Sequence, residues 1–193
     1  MMIAMKFTKL LIALVFLSSF YGAVAAQKTQ PEPKTDLPVT ALGTFMRIQS
    51  SGEHAYGYDV ALWKQGAKIY GLISAHNGLL GDPPTGLLEN VRFDPKTKKF
   101  SFKAKLTLGV FFSKESENVP SRDVFEFEGT LTTARLAGTL STTNELCPDK
   151  CPEKKKINLP RSKQWSSMLG GFKTYAGWKA DADEILKRRG PEW

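Results

Sequence analysis

The chain is short of the residues on which most enzyme chemistry is built. Its 193 residues include two histidines and two cysteines. No G-x-S-x-G elbow, no H-E-x-x-H helix and no G-x-x-x-x-G-K-[ST] loop occurs in it. Those three absences remove the motif-borne forms of serine hydrolysis, zinc proteolysis and P-loop nucleotide chemistry. Carboxylates are plentiful, but their spacing along extended segments does not make two converge, so no glycosidase-like pair can be argued. No motif asks for a cofactor.

Long apolar runs are also scarce. The main one, "LLIALVFLSSF" at 10–20, is too short to span hydrocarbon comfortably. It follows Lys6 and Lys9 and precedes the small residues "GAVAA", the pattern of a secretory signal peptide cleaved after Ala25 or Ala26. No cysteine lies near that point, which argues against lipid attachment there. The expectation is a leader over 1–26, an exported (periplasmic or secreted) protein, and no transmembrane span after cleavage. The whole chain carries 27 basic and 19 acidic residues and a net charge of +8; loss of the two leader lysines lowers it to +6. Such an excess attracts anionic surfaces or polymers at long range without implying specific nucleic-acid binding. Cys147 and Cys151 lie in "CPDKCP". In an oxidising compartment they are expected to form a disulfide that staples a small loop. A redox pair usually has two intervening residues rather than three, and a zinc site lacks two nearby ligands.

What is present is alternation. After a polar, proline-bearing linker at 27–40, period-two patterning marks eight strands. They fall near 43–49, 54–63, 67–76, 88–94, 99–108, 122–132, 135–142 and 154–160. The tail reads as a helix from about 175 to 189, with Trp178, Ala182, Ile185 and Leu186 on one stripe and Gly190-Pro191 at its end. Two hairpins test the register. Pairing Phe93 with Phe100 also pairs Val91 with Phe102. Pairing Leu131 with Leu136 pairs Phe127 with Leu140 and Gly129 with Gly138. Each puts apolar against apolar on one face, leaving Lys103 and Lys105 to meet Glu126 and Glu128 on the other. Glycines inside strands (Gly57, Gly71, Gly129, Gly138) suit a sheet that curls. The expected fold is all-β: an antiparallel up-and-down meander of about eight strands, closed as a barrel, with a C-terminal helix, forming one domain over 41–193.

"GTFMRIQSS", followed by a hairpin, and "FEFEGTLTTARLAGTL" resemble the opening strand and G-x-L repeats of calycin-type barrels (lipocalins, fatty-acid-binding proteins, avidins). The likeness spans about 43–160, with Phe45 where lipocalins usually carry Trp. The chain is also similar to small secreted bacterial proteins of undefined function with "RGPxW" tails. Neither resemblance transfers a catalytic residue. The first implies a hydrophobic or amphipathic ligand held inside the barrel mouth.

A meander alternates its connections between two ends. The connections 64–66, 95–98 and 133–134 are short and share one end. Those at 77–87, 109–121 and 143–153 are long and share the other, joined by the small turn at 50–53. Long loops on a rigid scaffold are where sites tend to lie, so ligand access is expected at the long-loop end, with His54, Tyr56, Tyr58, His76, Asp82, Phe111 and Phe112 as candidate binding residues. If "KQG" is a three-residue turn, His54 lies opposite His76, and two facing imidazoles could hold a transition metal or act as acid and base. A two-residue turn at Gln65-Gly66 instead sets Asn77 opposite His54. The string "GDPPTG" at 81–86 is no phosphate cradle, because Pro83 and Pro84 have no N–H to offer. It reads as a stiff arm at the mouth. Three functions remain: an exported binding module for a small apolar or amphipathic ligand, a cell-envelope structural or protein-interaction protein, and a metal-dependent enzyme using His54 and His76.

Overall fold

The computed structural model describes residues 37–79, 83–106, 110–111, 119–120, 122–145, 149 and 152–187. The expected leader at 1–26 and the paired cysteines, Cys147 and Cys151, lie outside them. All described residues belong to the compact unit Lys34–Trp193.

Eight antiparallel strands close into a barrel: β1 (Thr40–Ser51), β2 (His54–Gln65), β3 (Lys68–Leu79), β4 (Thr85–Phe93), β5 (Lys99–Lys105), β8 (Asp123–Leu131), β9 (Arg135–Asn144) and β10 (Glu153–Ser162). Each strand pairs with the next along the chain, and β10 returns to β1 through Thr44–Ser162 and Phe45–Arg161. This is the expected meander, and all eight strands fall where alternation puts them. A two-stranded ribbon, β6 (Val110–Phe111) and β7 (Val119–Pro120), interrupts the connection from β5 to β8. A short helix α1 (Lys163–Met168) follows β10 and was not foreshadowed by periodicity. It has no buried residue and only six residues, too few for a helical period to show in the sequence. The last helix, α2, runs over Tyr175–Lys187.

Alternation has its usual cause: residues two apart in a strand share a face. The inward face holds a continuous core that includes Phe45, Val60, Leu62, Ile73, Phe100, Phe102, Phe125, Phe127, Leu136, Leu140 and Leu159. Phe102 and Phe127 stack across β5 and β8 at 5.2 Å in the midsection. The β8–β9 register is the expected one, with Leu131–Leu136, Gly129–Gly138 and Phe127–Leu140 opposed. The β4–β5 register is only half as expected. Phe93 opposes Phe100, but the pairing shifts between Glu89 and Arg92, so Val91 lies with Asn90 in a bulge opposite Phe102 rather than in a regular pair. Asn90, with φ of 50°, sits in this bulge, which inserts residues on one strand without a counterpart on the other. On the outer face Lys103 forms an ion pair with Glu126. Glu128 opposes Ser101 and Lys105 opposes Val124, so the second expected cross-strand pair is absent from that ladder.

α2 packs on the outside of the barrel. Trp178 and Ala182 are buried with Trp63 and Val39, against Tyr70, Leu72, Leu87 and Phe172. The indole Nε1 of Trp63 donates to the Gly170 carbonyl at 2.9 Å, and Val39 and Phe172 exchange backbone hydrogen bonds of 2.8 and 2.9 Å. These contacts clamp the C-terminal segment to β2 and β3.

Candidate functional site

Closure of the meander sorts the connections by end. The turns at 66–67, 94–98 and 132–134 lie at one end, and the turn 52–53 and the strand ends Leu79, Thr85, Lys105, Asp123, Asn144 and Glu153 at the other.

The register of β2 and β3 decides the histidines. Gln65 opposes Lys68 around the two central residues Gly66 and Ala67, with Gly66 at φ of 59°. A glycine with positive φ at the first central position is the II′ hairpin pattern, favoured because its twist matches the strands it joins. His54 is then opposite Leu79 and His76 opposite Gly57. The turn is neither the three-residue loop nor the Gln65-Gly66 turn considered from sequence, and the facing pair of His54 and His76 does not form. His54 shares the inward face with Tyr56, Tyr58 and Val60, whereas His76 points outward. The Nε2 atom of His76 lies 2.8 Å from Asp59 Oδ2, a diagonal pairing of groups offset by two residues on the same outer face. His54 stacks with Tyr56, ring centroids 6.3 Å apart. Among the described residues no group of three His, Cys, Asp or Glu side chains could hold a metal ion. The signal that finds this register is the Gly-X dipeptide itself, because "Q-G-A-K" matches the II′ pattern as well as "S-G-E-H" does.

Of the other expected residues, Tyr58 is half-buried and packs edge-on against Phe125 at 5.9 Å. Tyr56 is exposed at the rim. Asp82 and Phe112 lie outside the described residues, and Phe111 is described only as a backbone member of β6. Pro84 accepts a hydrogen bond from the Ala75 amide at 2.9 Å, and Thr85 is buried, its hydroxyl 3.0 Å from Ser74 Oγ. The second half of "GDPPTG" is thus bonded into the sheet.

Sequence reading missed what surrounds Tyr58. Arg47 opposes it on β1, and Lys155 Nζ stands 5.6 Å from its ring centroid. Asp123 and Asn144 oppose each other on the same inward face and are hydrogen-bonded at 2.5 Å. Burial pushes the Tyr58 phenol above its ordinary value of 10.0, and the nearby carboxylates of Glu153 and Asp123 push it further. The long-loop end of the interior is therefore a polar cup of mixed charge.

The other end is different. A cavity of about 890 Å³ is lined there by Leu42, Phe45, Ile69, Phe93 and Leu131, with Lys64, Lys98, Arg161, Thr132 and Thr133 around it. Phe45 and Leu131 are buried and form its floor, whereas Lys64, Lys98 and Arg161 are exposed at its rim. The described residues that line it include three cations and no carboxylate. Hydrogen bonds tie the rim turns together: the Leu131 amide donates to Lys98 O at 3.0 Å and the Arg161 amide to Ala134 O at 2.8 Å. This cavity is at the end opposite to the one that loop length singles out. Loop length reports how much chain decorates an end, whereas the cavity exists where inward side chains stop short of filling the barrel.

Compared with protein-family models, with curated proteins and with solved structures, the chain matches none.

Proposed function

We propose that this protein is a binding module for a small amphipathic ligand with an acidic head group, taken up at the short-turn end of the barrel. The observation that carries the reading is the cavity of about 890 Å³ with an apolar floor and a rim of Lys64, Lys98 and Arg161. Its volume falls in the range of small-molecule pockets, roughly 300–1,000 Å³. The floor favours a hydrocarbon portion by removing it from water, and three cations without a carboxylate favour an anion at the rim. The resemblance of β1 and the β8–β9 hairpin to calycin-type barrels points the same way, toward a ligand held inside a barrel. The charged, apolar and small-residue pattern over 1–26 supports placing the carrier outside the cytoplasm.

Displacement of a fluorescent anionic amphiphile tests this. Ile69→Trp adds bulk to the cavity wall and is expected to lower binding by at least about tenfold, as for loss of a principal apolar contact. Undiminished binding by an Ile69→Trp protein of native thermal stability would overturn the proposal.

A further inference from the structure

The same end of the barrel has a second property that a small-ligand pocket does not require. The four segments that build it, 64–68, 94–98, 132–135 and 161–163, contain seven basic residues and one acid, Asp94. That carboxylate is engaged within its own turn, accepting from Lys96 N at 2.8 Å and from Thr97 Oγ1 at 2.7 Å. The opposite end mixes signs, with Arg47 and Lys155 near Asp123 and Glu153 on the inward face. The four segments at this pole thus carry a net charge of +6, seven bases less one acid.

Apolar groups stand at that pole too. Among the described residues, four large hydrophobic side chains are exposed: Leu37, Tyr56, Trp165 and Met168, at 51, 46, 48 and 67 %. Three of them belong to the basic end. Leu37 lies beside the β2–β3 turn, where its carbonyl accepts from Gln65 Nε2 at 2.7 Å. Trp165 and Met168 are three residues apart on α1 and so share a face. α1 starts immediately after the Arg161 rim and is anchored by Ser166 Oγ, which accepts from Thr44 N at 2.9 Å. None of its residues is buried, so the barrel does not explain why a tryptophan and a methionine are placed there.

We propose that the short-turn end docks on a lipid surface containing anionic head groups, with Trp165, Met168 and Leu37 entering the interfacial layer and the surrounding lysines and arginines facing the phosphates. Tryptophan suits that depth because it is apolar over most of its surface and polar at one edge. Cations near a negatively charged leaflet each add to the attraction, and short apolar side chains hold the contact at close range. A second copy of this chain does not fit the same surface, since like poles repel. A nucleic acid or polysaccharide satisfies the charge but gives Leu37 and Met168 nothing to bury against. The cavity mouth opens within this face, so an amphiphile can pass between bilayer and barrel without crossing bulk water.

Co-sedimentation of the full chain with vesicles of phosphatidylcholine, with and without phosphatidylglycerol, tests the proposal. The readout is the change in the difference between the two from wild type to variant, in which the contribution of the basic and apolar segment 1–26 cancels. Binding is expected to be stronger on the phosphatidylglycerol vesicles and to fall as salt is raised. Lys163→Glu is expected to lower that preference by about fivefold or more, the equivalent of removing at least one cation from an anionic surface. Trp165→Ser combined with Met168→Ser is expected to weaken binding at every lipid composition. None of these residues lines the cavity, so binding of the soluble fluorescent amphiphile stays unchanged in all of them, and loss of cavity binding alone would strike the proposed function rather than this one. Equal partitioning onto neutral and anionic vesicles overturns the docking proposal. So does wild-type partitioning by the α1 variants, or binding to heparin or DNA through the same residues without binding to vesicles.

Discussion

Lys155 and Tyr58 meet at the long-loop mouth of the barrel, the ammonium nitrogen 5.6 Å from the centre of the phenol ring. One belongs to β10 and the other to β2, and β1 with Arg47 runs between them. Tyr58 is also raised above its ordinary value of 10.0, chiefly by burial and then by Glu153 and Asp123. The unfolded chain therefore releases this proton at lower pH than the folded one. The contribution is complete below about pH 10, the unfolded value, and is lost as pH climbs through the higher folded value. Tyr58→Phe should remove one tyrosinate step above the ordinary value of 10.0 from an absorbance titration and flatten the fall in stability above about pH 10. An unchanged titration curve would contradict the burial of this phenol.

The two histidines should behave independently. They stand on opposite faces of the β2–β3 hairpin, and His76 is engaged with Asp59 on the outside. His76→Ala is expected to cost at most about 1 kcal/mol, as for a partly exposed polar contact. In a double-mutant cycle with His54→Ala, the coupling should be within about 0.5 kcal/mol of zero. A rise in melting temperature on adding zinc that either single variant abolishes would show the opposite, a shared site.

Trp178 is the main anchor of α2. It is buried to 3 % exposure, with ring centroids 6.0 Å from Trp63, 5.1 Å from Tyr70 and 5.6 Å from Tyr175. Trp178→Ala should destabilise the protein by about 3–5 kcal/mol. Near-ultraviolet circular dichroism should lose much of its aromatic signal while the far-ultraviolet β-signature persists. A change below about 1 kcal/mol would mean that the helix is not docked as described.

The turn at Gly66 sets the face of every residue in β3. Its φ of 59° is left-handed, where a β-branched side chain costs about 1–2 kcal/mol or more. Gly66→Val should lower stability by that amount in urea denaturation with no change in the slope of the transition. A neutral effect would indicate a different turn and a different register.

Much of the fold is legible locally. The eight strands announce themselves by alternation, and the β8–β9 register follows from matching apolar residues across "TTAR", because one buried face leaves a single acceptable pairing. The β4–β5 hairpin was legible only as far as its first pair, since the bulge at Asn90 has no signature in apolar pattern. α1 was invisible because a short exposed helix has neither periodicity nor a core to fill.

By itself, the sequence determined an antiparallel meander with short turns at one end, long connections at the other and a helix with one apolar stripe, since these follow from interactions between neighbours along the chain. At the β2–β3 hairpin the sequence admits several turns, Gly66-Ala67 among them, and only the tertiary structure decided between them, because shifting a turn by one residue reverses every inward and outward assignment in the strand that follows. It also decided that Tyr58, Lys155, Glu153 and Asp123 gather at one pole while the cavity and its cations occupy the other. Those groupings join residues as far apart as β1 and β10, and nothing but closure of the barrel brings them together.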